Sequence, residues 1–547
     1  MPSPPPEPES RDPGLAECQR LLEAVPAAAA SSPAFRRHWP SISASLAALS
    51  AALASPAFPP SGPLLAPLAA ALTALLSVAG EQTRLGHLHT VSLLSSSAAS
   101  LAQLAADARL LATPAPSTGA GAGGDPSSAD ALISRLRLGS AASRAAALEE
   151  LAGSAASLPV SSAAAAVSAV AALLDSAVGD LLPSSRERAV YVLAAFASSS
   201  DAACRSLAQE SGAVVPHLCR ALESGGAGAE HACVALLPLT AASRDVSAAV
   251  AARGGVAALL AACAGGTPAT QAAAAGVLRN LAAFPDLLPW FRDEGALPLL
   301  LQLVSLGTPR AQELALGCLQ NLTASDGDVG QRLKVDAFQE GALGCVKDYL
   351  DASRGDEPGL APALGLLRNM ASFRYIAEIA VSASFAAHVA VALGSDRSPT
   401  RTEAALALAE LCGNANSSKP RHELDDAVPR LVWMLEAKSV SERDAAARAL
   451  AALLAASGGY RKLFRKDERG IVNAVQLLDP AAARAVDRRF PVSVLLAVSQ
   501  SRRCRKQMVA AGACGFLQGL MDAEVDGAKK LAECLGKGKM LGVFPRT

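Results

Sequence analysis

Aromatic side chains are scarce in this 547-residue chain: Phe, Trp and Tyr together make up 3% of it. So low a share argues against a large β-sheet core and suits closely packed helices. Charge is also sparse, at 18%, and 49 Lys and Arg balance 49 Asp and Glu, so no net field draws the chain to nucleic acid. Seven histidines are scattered, and His87 and His89 stand two apart on an expected helix, where they do not share a face. The eleven cysteines form no C-x-x-C and no cluster with histidine, which reads as free thiols in a reducing compartment. A phosphate loop, an H-E-x-x-H helix and a G-x-S-x-G elbow are all lacking. No catalytic residue, metal ligand or cofactor is therefore expected. The glycine-rich run 119–124 is framed by neither strand nor helix and reads as linker. The first residues are acidic and proline-rich, unlike a signal peptide, and Pro2 excludes N-myristoylation. The apolar stretch 64–79 is short and contains Pro67, so no transmembrane segment is expected.

What the chain has is repetition. Three phrases match: GVLRNLA (276–282), GCLQNLT (317–323) and GLLRNMA (365–371). Aligned with 189–198, 232–241, 405–414 and 449–458, they place Ala195, Pro238, Asn280, Asn321, Asn369, Glu410 and Ala452 in one register. The successive intervals are 43, 42, 41, 48, 41 and 42 residues. Alanine richness imitates a helix but not a register. Turn phrases march in step at 211–216, 253–258, 294–299, 340–345, 425–430, 469–474 and 511–516. Glycine there ends a short helix in the left-handed conformation, and a following proline suits the first turn of the next helix. A short helix, a glycine turn, a second helix, a small-residue turn and a third helix make a unit of about 42 residues, the period of an armadillo-type solenoid. The 48-residue interval marks an insertion in 323–341, and 351–359 reads as a polar loop.

The expected fold is all-α: a right-handed armadillo-type superhelical solenoid preceded by an N-terminal helical bundle. Residues 1–14 are expected to be disordered. Residues 15–111 form the helical block, with helices near 15–24, 41–54, 64–80 and 84–111, and residues 112–129 form a flexible linker. Residues 130–547 carry the repeats, closed by capping helices whose outer face is polar.

The Asn ladder falls on the third helix of each unit, the helix that lines the inner surface of such a stack. An Asn amide offers both donor and acceptor, so Asn280, Asn321 and Asn369 suit the backbone of an extended peptide, with Arg279 and Arg368 beside two of them for acidic groups. The same amides are equally suited to binding a neighbouring turn and stiffening the stack. A second feature is basic. From Arg421 onward 22 Lys and Arg face 14 Asp and Glu. Arg461, Lys462, Arg465 and Lys466, interleaved with Tyr460 and Phe464, lie one repeat before Arg502, Arg503, Arg505 and Lys506. The eight form a candidate stripe for an acidic partner or an anionic membrane surface, or else a solvated helix face.

On the phrases EGALPLLLQLV and AQELALGCLQNL (294–322), the chain from about 130 to 540 resembles armadillo-repeat proteins. With its N-terminal block, where 80–94 carries part of the likeness, it resembles plant armadillo proteins related to the U-box ubiquitin ligases. Its repeats are also similar to those of the vacuolar armadillo protein. The place of the U-box holds only the segment 112–129, so the resemblance implies no ligase activity. It implies a non-catalytic scaffold or adaptor that binds a peptide segment, or a non-catalytic regulatory component of ubiquitin ligation or stress signalling, in the cytoplasm or in cytoplasm and nucleus. Where peptide-groove members of the family carry Trp one turn before each Asn, this chain has Gly276, Gly317 and Gly365, so importin-alpha-type recognition is not expected. The protein partner is left open.

Overall fold

The computed structural model describes residues 13–30, 35–36, 38–55, 58, 64–80, 87–112, 126–139, 141–155, 158, 160–175, 183–199, 201–353, 355, 357–414, 424–481 and 486–536. The proline-rich residues 1–12 and the core of the expected linker, 113–125, lie outside them. Among the described residues the chain is all-α, with 31 α-helices and no strand. It divides into two compact units, Met1–Gly255 and Val256–Thr547.

In the first unit, helices Pro13–Ala30, Trp39–Leu53, Leu65–Gly80 and His87–Ala112 enclose a core of their own. The first packs on the third and the second on the fourth. Leu49, Leu68, Leu72, Leu75, Leu94 and Leu101 are fully buried there. The opening helix begins at Pro13, inside the stretch expected to be disordered, and runs past Pro26 to Ala30, because the alanines after Pro26 sustain it. The apolar stretch beginning at residue 64 is a core helix, and no single helix among the described residues is long and apolar enough to cross a membrane. Residues 126–129, expected as linker, open the helix Pro126–Leu138; Ala141–Ser154 follows it. Further along, Pro183–Ser199 packs on Gly226–Ala242, and these two helices carry Ala195 and Pro238.

The second unit repeats a three-helix pattern. Leu288–Asp293, Ala296–Leu306 and Pro309–Leu322 form one round; Asp328–Gln339, Ala342–Ala352 and Leu360–Ala371 the next; Arg374–Ser382, Phe385–Ala392 and Ser398–Asn414 a third. Third helices stack in sequence: Pro268–Ala282 on Pro309–Leu322, then Leu360–Ala371, Ser398–Asn414, Val440–Ala456 and Arg489–Val498. Asn280, Asn321, Asn369, Glu410 and Ala452 each lie on a member of this stack. Local chemistry starts the helices. The Thr267 and Thr308 hydroxyls accept from the Thr270 and Ala311 amides at 3.2 and 3.3 Å, each just before a proline at the first helical position. The insertion after Asn321 is helical: its first helix has 12 residues against 6 for Leu288–Asp293.

The turn between first and second helices is left-handed at Gly295 (φ 60°), Gly341 (φ 87°) and Gly512 (φ 88°). In two of the turn phrases the sole glycine behaves otherwise. Gly212 and Gly470 sit within the helices Ser211–Ser224 and Glu468–Gln476. Gly470 is small because a Cβ there would stand 2.8 Å from the Phe464 ring. Conversely, Ser384 (φ 66°) holds the left-handed position in its repeat, a turn invisible in sequence because no glycine marks it. The left-handed penalty of a residue with a Cβ exceeds the added unfolded-state freedom of glycine. Ser384→Gly is therefore expected to raise stability by about 0.5–1 kcal/mol. A urea midpoint that stays put or falls would show that Ser384 is unstrained.

Candidate functional site

Each Asn of the ladder sits near the C-terminal end of its helix, where the last four carbonyls have no intrahelical partner. Asn321 Nδ2 donates to the Arg279 carbonyl at 2.9 Å, one repeat earlier. Asn369 Nδ2 donates to the Gln320 carbonyl at 2.9 Å and to Thr323 Oγ1 at 3.0 Å. Its Oδ1 accepts from Arg368 Nε at 3.2 Å and from a terminal guanidinium nitrogen of Arg368 at 3.1 Å. Asn414, one turn beyond Glu410, donates to the Ala371 carbonyl at 2.9 Å and to Glu410 Oε2 at 2.9 Å. Acceptors Arg279, Gln320 and Ala371 all belong to the last four residues of their helices. The ladder thus ties consecutive third helices together. At Asn369, which is buried, this accounts for both ends of the amide. Asn280 and Asn321 are half-buried.

The arginines divide in the same way. Arg368 donates to Glu403 Oε2 at 2.8 Å, and Gln320 Nε2 donates to Glu403 Oε1 at 3.1 Å, so Glu403 joins three consecutive helices. Burial pushes the Glu403 carboxyl above its ordinary range, and Arg368 and Gln320 act against that. Farther on, Arg448 pairs with Glu410 and stands 5.6 Å over the Phe490 ring. Arg279 has no ion pair among the described residues. Its side chain instead lies over Gly317, where an added Cβ would meet the Arg279 Cδ at 2.7 Å. Gln320 lies over Gly365 likewise, where an added Cβ would collide with its side-chain amide. Two of the three glycines that stand in place of Trp, Gly317 and Gly365, thus leave room for a long polar side chain from the preceding repeat.

Sequence reasoning passed over Gln320, Glu403, Glu410, Arg448 and Asn414 as site residues. A signal for the first was present: the residue before each Asn is Arg, Gln and Arg, polar every time on a half-apolar helix. Glu403 and Arg448 carried none, because their pairing crosses between repeats.

In the basic cluster, Tyr460 and Phe464 are buried core residues and do not interleave with the charges at the surface. Helical geometry turns them inward while Lys462, Arg465 and Lys466 point out. Arg461 donates to the Leu454 carbonyl at 3.0 Å, and Arg505 to the Ser499 carbonyl at 2.7 Å, so these two cap the C-terminal ends of the helices Val440–Ala456 and Arg489–Val498. Arg503 reaches Glu468 at 3.1 Å, which places the two clusters side by side. Arg502 and Lys506 are exposed.

All eleven cysteines are free thiols. Burial pushes Cys219 up to about 11 and Cys263 up to about 12, which removes thiolate character at both. Among the described residues no three His, Cys, Asp or Glu side chains gather as metal ligands would.

No protein-family model matches the chain, and no curated protein matches it significantly. Among solved structures it is similar to an engineered protein, target OR497 of the Northeast Structural Genomics Consortium, at 23% identity and a TM-score of 0.60; the match covers 75% of this chain and 98% of that one. Engineered targets OR329 and OR366 match at 22% identity, with TM-scores of 0.38 and 0.39, over 44% and 43% of this chain and 97% and 98% of theirs. The likeness to the first shows the fold alone: an all-α helical-repeat solenoid.

Proposed function

We propose that the chain is a non-catalytic protein-interaction scaffold of armadillo type, which holds an extended peptide segment along its third helices near Arg279, Asn280 and Asn321. One observation carries this reading. Arg279 lies on this face without an acidic partner among the described residues, beside two half-buried Asn, whereas Arg368 and Asn369 are bound within the stack. An Arg guanidinium so placed takes a carboxylate of the ligand, and the Asn321 amide retains its oxygen and one hydrogen for the ligand backbone. The site is thus displaced toward the N-terminal end of the expected ladder.

Selection of a displayed peptide library on the purified chain tests it. Enriched peptides are expected to bind the Arg279→Ala/Asn280→Ala/Asn321→Ala variant at least tenfold more weakly, with the variant's helicity kept. Equal binding by the variant, or no enriched sequence, would sink the proposal.

A further inference from the structure

The first unit contains a cavity of about 550 Å³ between the helices Pro183–Ser199 and Ser211–Ser224 and the start of Gly226–Ala242. That volume lies within the roughly 300–1,000 Å³ usual for small-molecule sites. Arg186 and Arg220 both line it, and neither has a carboxylate partner among the described residues. Arg186 Nε is buried with no hydrogen-bond acceptor among the described residues. Arg220 donates to His217 Nδ1 at 3.2 Å. His217, which is 5% exposed, must then donate from Nε2 to Asp175 Oδ1, 3.0 Å away. Burial holds its pKa below the ordinary value, Asp175 opposes that, and Arg220 and Arg186 add to the lowering. A neutral, clamped imidazole therefore orients Arg220 without neutralising it. Residues 225–228, Gly-Gly-Ala-Gly, also line the cavity and bring no side chain at three of four positions. Val190 adds an apolar surface, and Glu187 is the one carboxylate among the described lining residues.

We propose that this cavity binds a phosphate dianion, free or as the monoester of a small molecule, between the guanidiniums of Arg186 and Arg220. Two guanidiniums without a carboxylate partner among the described residues match two negative charges, and a phosphate has oxygens enough to meet both planar forks, which a single carboxylate has not. A monoester's body would rest on the apolar wall at Val190, where free phosphate leaves that wall empty. This site is independent of the peptide face, which lies in the other unit.

Isothermal titration of the full chain at constant ionic strength tests the proposal, with inorganic phosphate, phenyl phosphate and benzoate as probes. Phenyl phosphate is expected to bind at least tenfold more tightly than benzoate. Tighter binding than inorganic phosphate assigns the site to a monoester, and equal binding assigns it to the free ion. Arg186→Gln and Arg220→Gln should each weaken phosphate binding at least tenfold, Glu187→Gln should tighten it several-fold, and Arg253→Gln, outside the cavity, should leave it unchanged. Benzoate binding as tightly as phenyl phosphate, no binding by any probe, or full binding by the Arg186→Gln/Arg220→Gln variant overturns the proposal. Should either arginine variant unfold, Glu187→Gln decides, and unchanged affinity there counts against the site.

Discussion

Glu442→Ala is expected to lower the unfolding free energy by about 3–5 kcal/mol, the range for removing one partner of a buried ion pair. Glu442 is 2% exposed in the first turn of Val440–Ala456. Its carboxylate accepts from Arg401 Nε at 2.5 Å and from Ser398 Oγ at 2.6 Å, both on the preceding third helix. Arg401 also donates to the Ser395 carbonyl at 2.8 Å and stands 5.2 Å over the Trp433 ring. With alanine at 442 the guanidinium, whose side chain is 12% exposed, keeps its charge and loses its counterion. Replacing the pair by hydrophobic residues of similar volume is a gentler change, because no charge is then left behind. Urea denaturation of Glu442→Ala beside Arg401→Met/Glu442→Leu separates the two. If the single variant unfolds within about 1 kcal/mol of wild type, the pair does not hold these repeats together.

Asn369→Ala should cost about 2–3 kcal/mol, and Asn321→Ala about 1 kcal/mol, at roughly 1 kcal/mol per hydrogen bond lost. The difference follows from what each amide holds. Asn369 binds the Gln320 carbonyl, the fully buried Thr323 hydroxyl and the Arg368 guanidinium, whereas Asn321 makes one bond to the Arg279 carbonyl. Equal melting of the two variants would refute the buried-staple role of Asn369. This result also bears on function. Removing all three Asn together would mix lost folding with lost binding, so Asn369 is left intact in the peptide-binding test.

Much of the frame was legible in sequence because it is set locally. A helical period of apolar residues, a threonine-proline start and a glycine turn act within a few residues of one another, and a period near 42 reports that neighbouring copies pack alike. For this reason Asn280, Asn321, Asn369, Glu410 and Ala452 fall on stacked third helices, and Ala195 and Pro238 on two helices that pack together. Where the turn chemistry was atypical, the reading slipped: Ser384 adopts a glycine-like conformation, and Gly470 is small for Phe464 and not for its backbone.

The sequence by itself determined an all-α repeat and the helix that bears the Asn ladder. Only the tertiary structure decided what that ladder does. An amide's partners depend on what lies about 3 Å away, and for Asn321 and Asn369 these are carbonyls some 42 and 49 residues earlier in the chain. The same holds for charge. Composition put Arg279 and Arg368 on equal terms, and the fold separated them by placing Glu403 within 2.8 Å of one while leaving the other lying across Gly317. Periodicity is a property of the backbone and survives in one dimension, whereas hydrogen-bond satisfaction is a property of neighbours and appears only when the repeats are stacked.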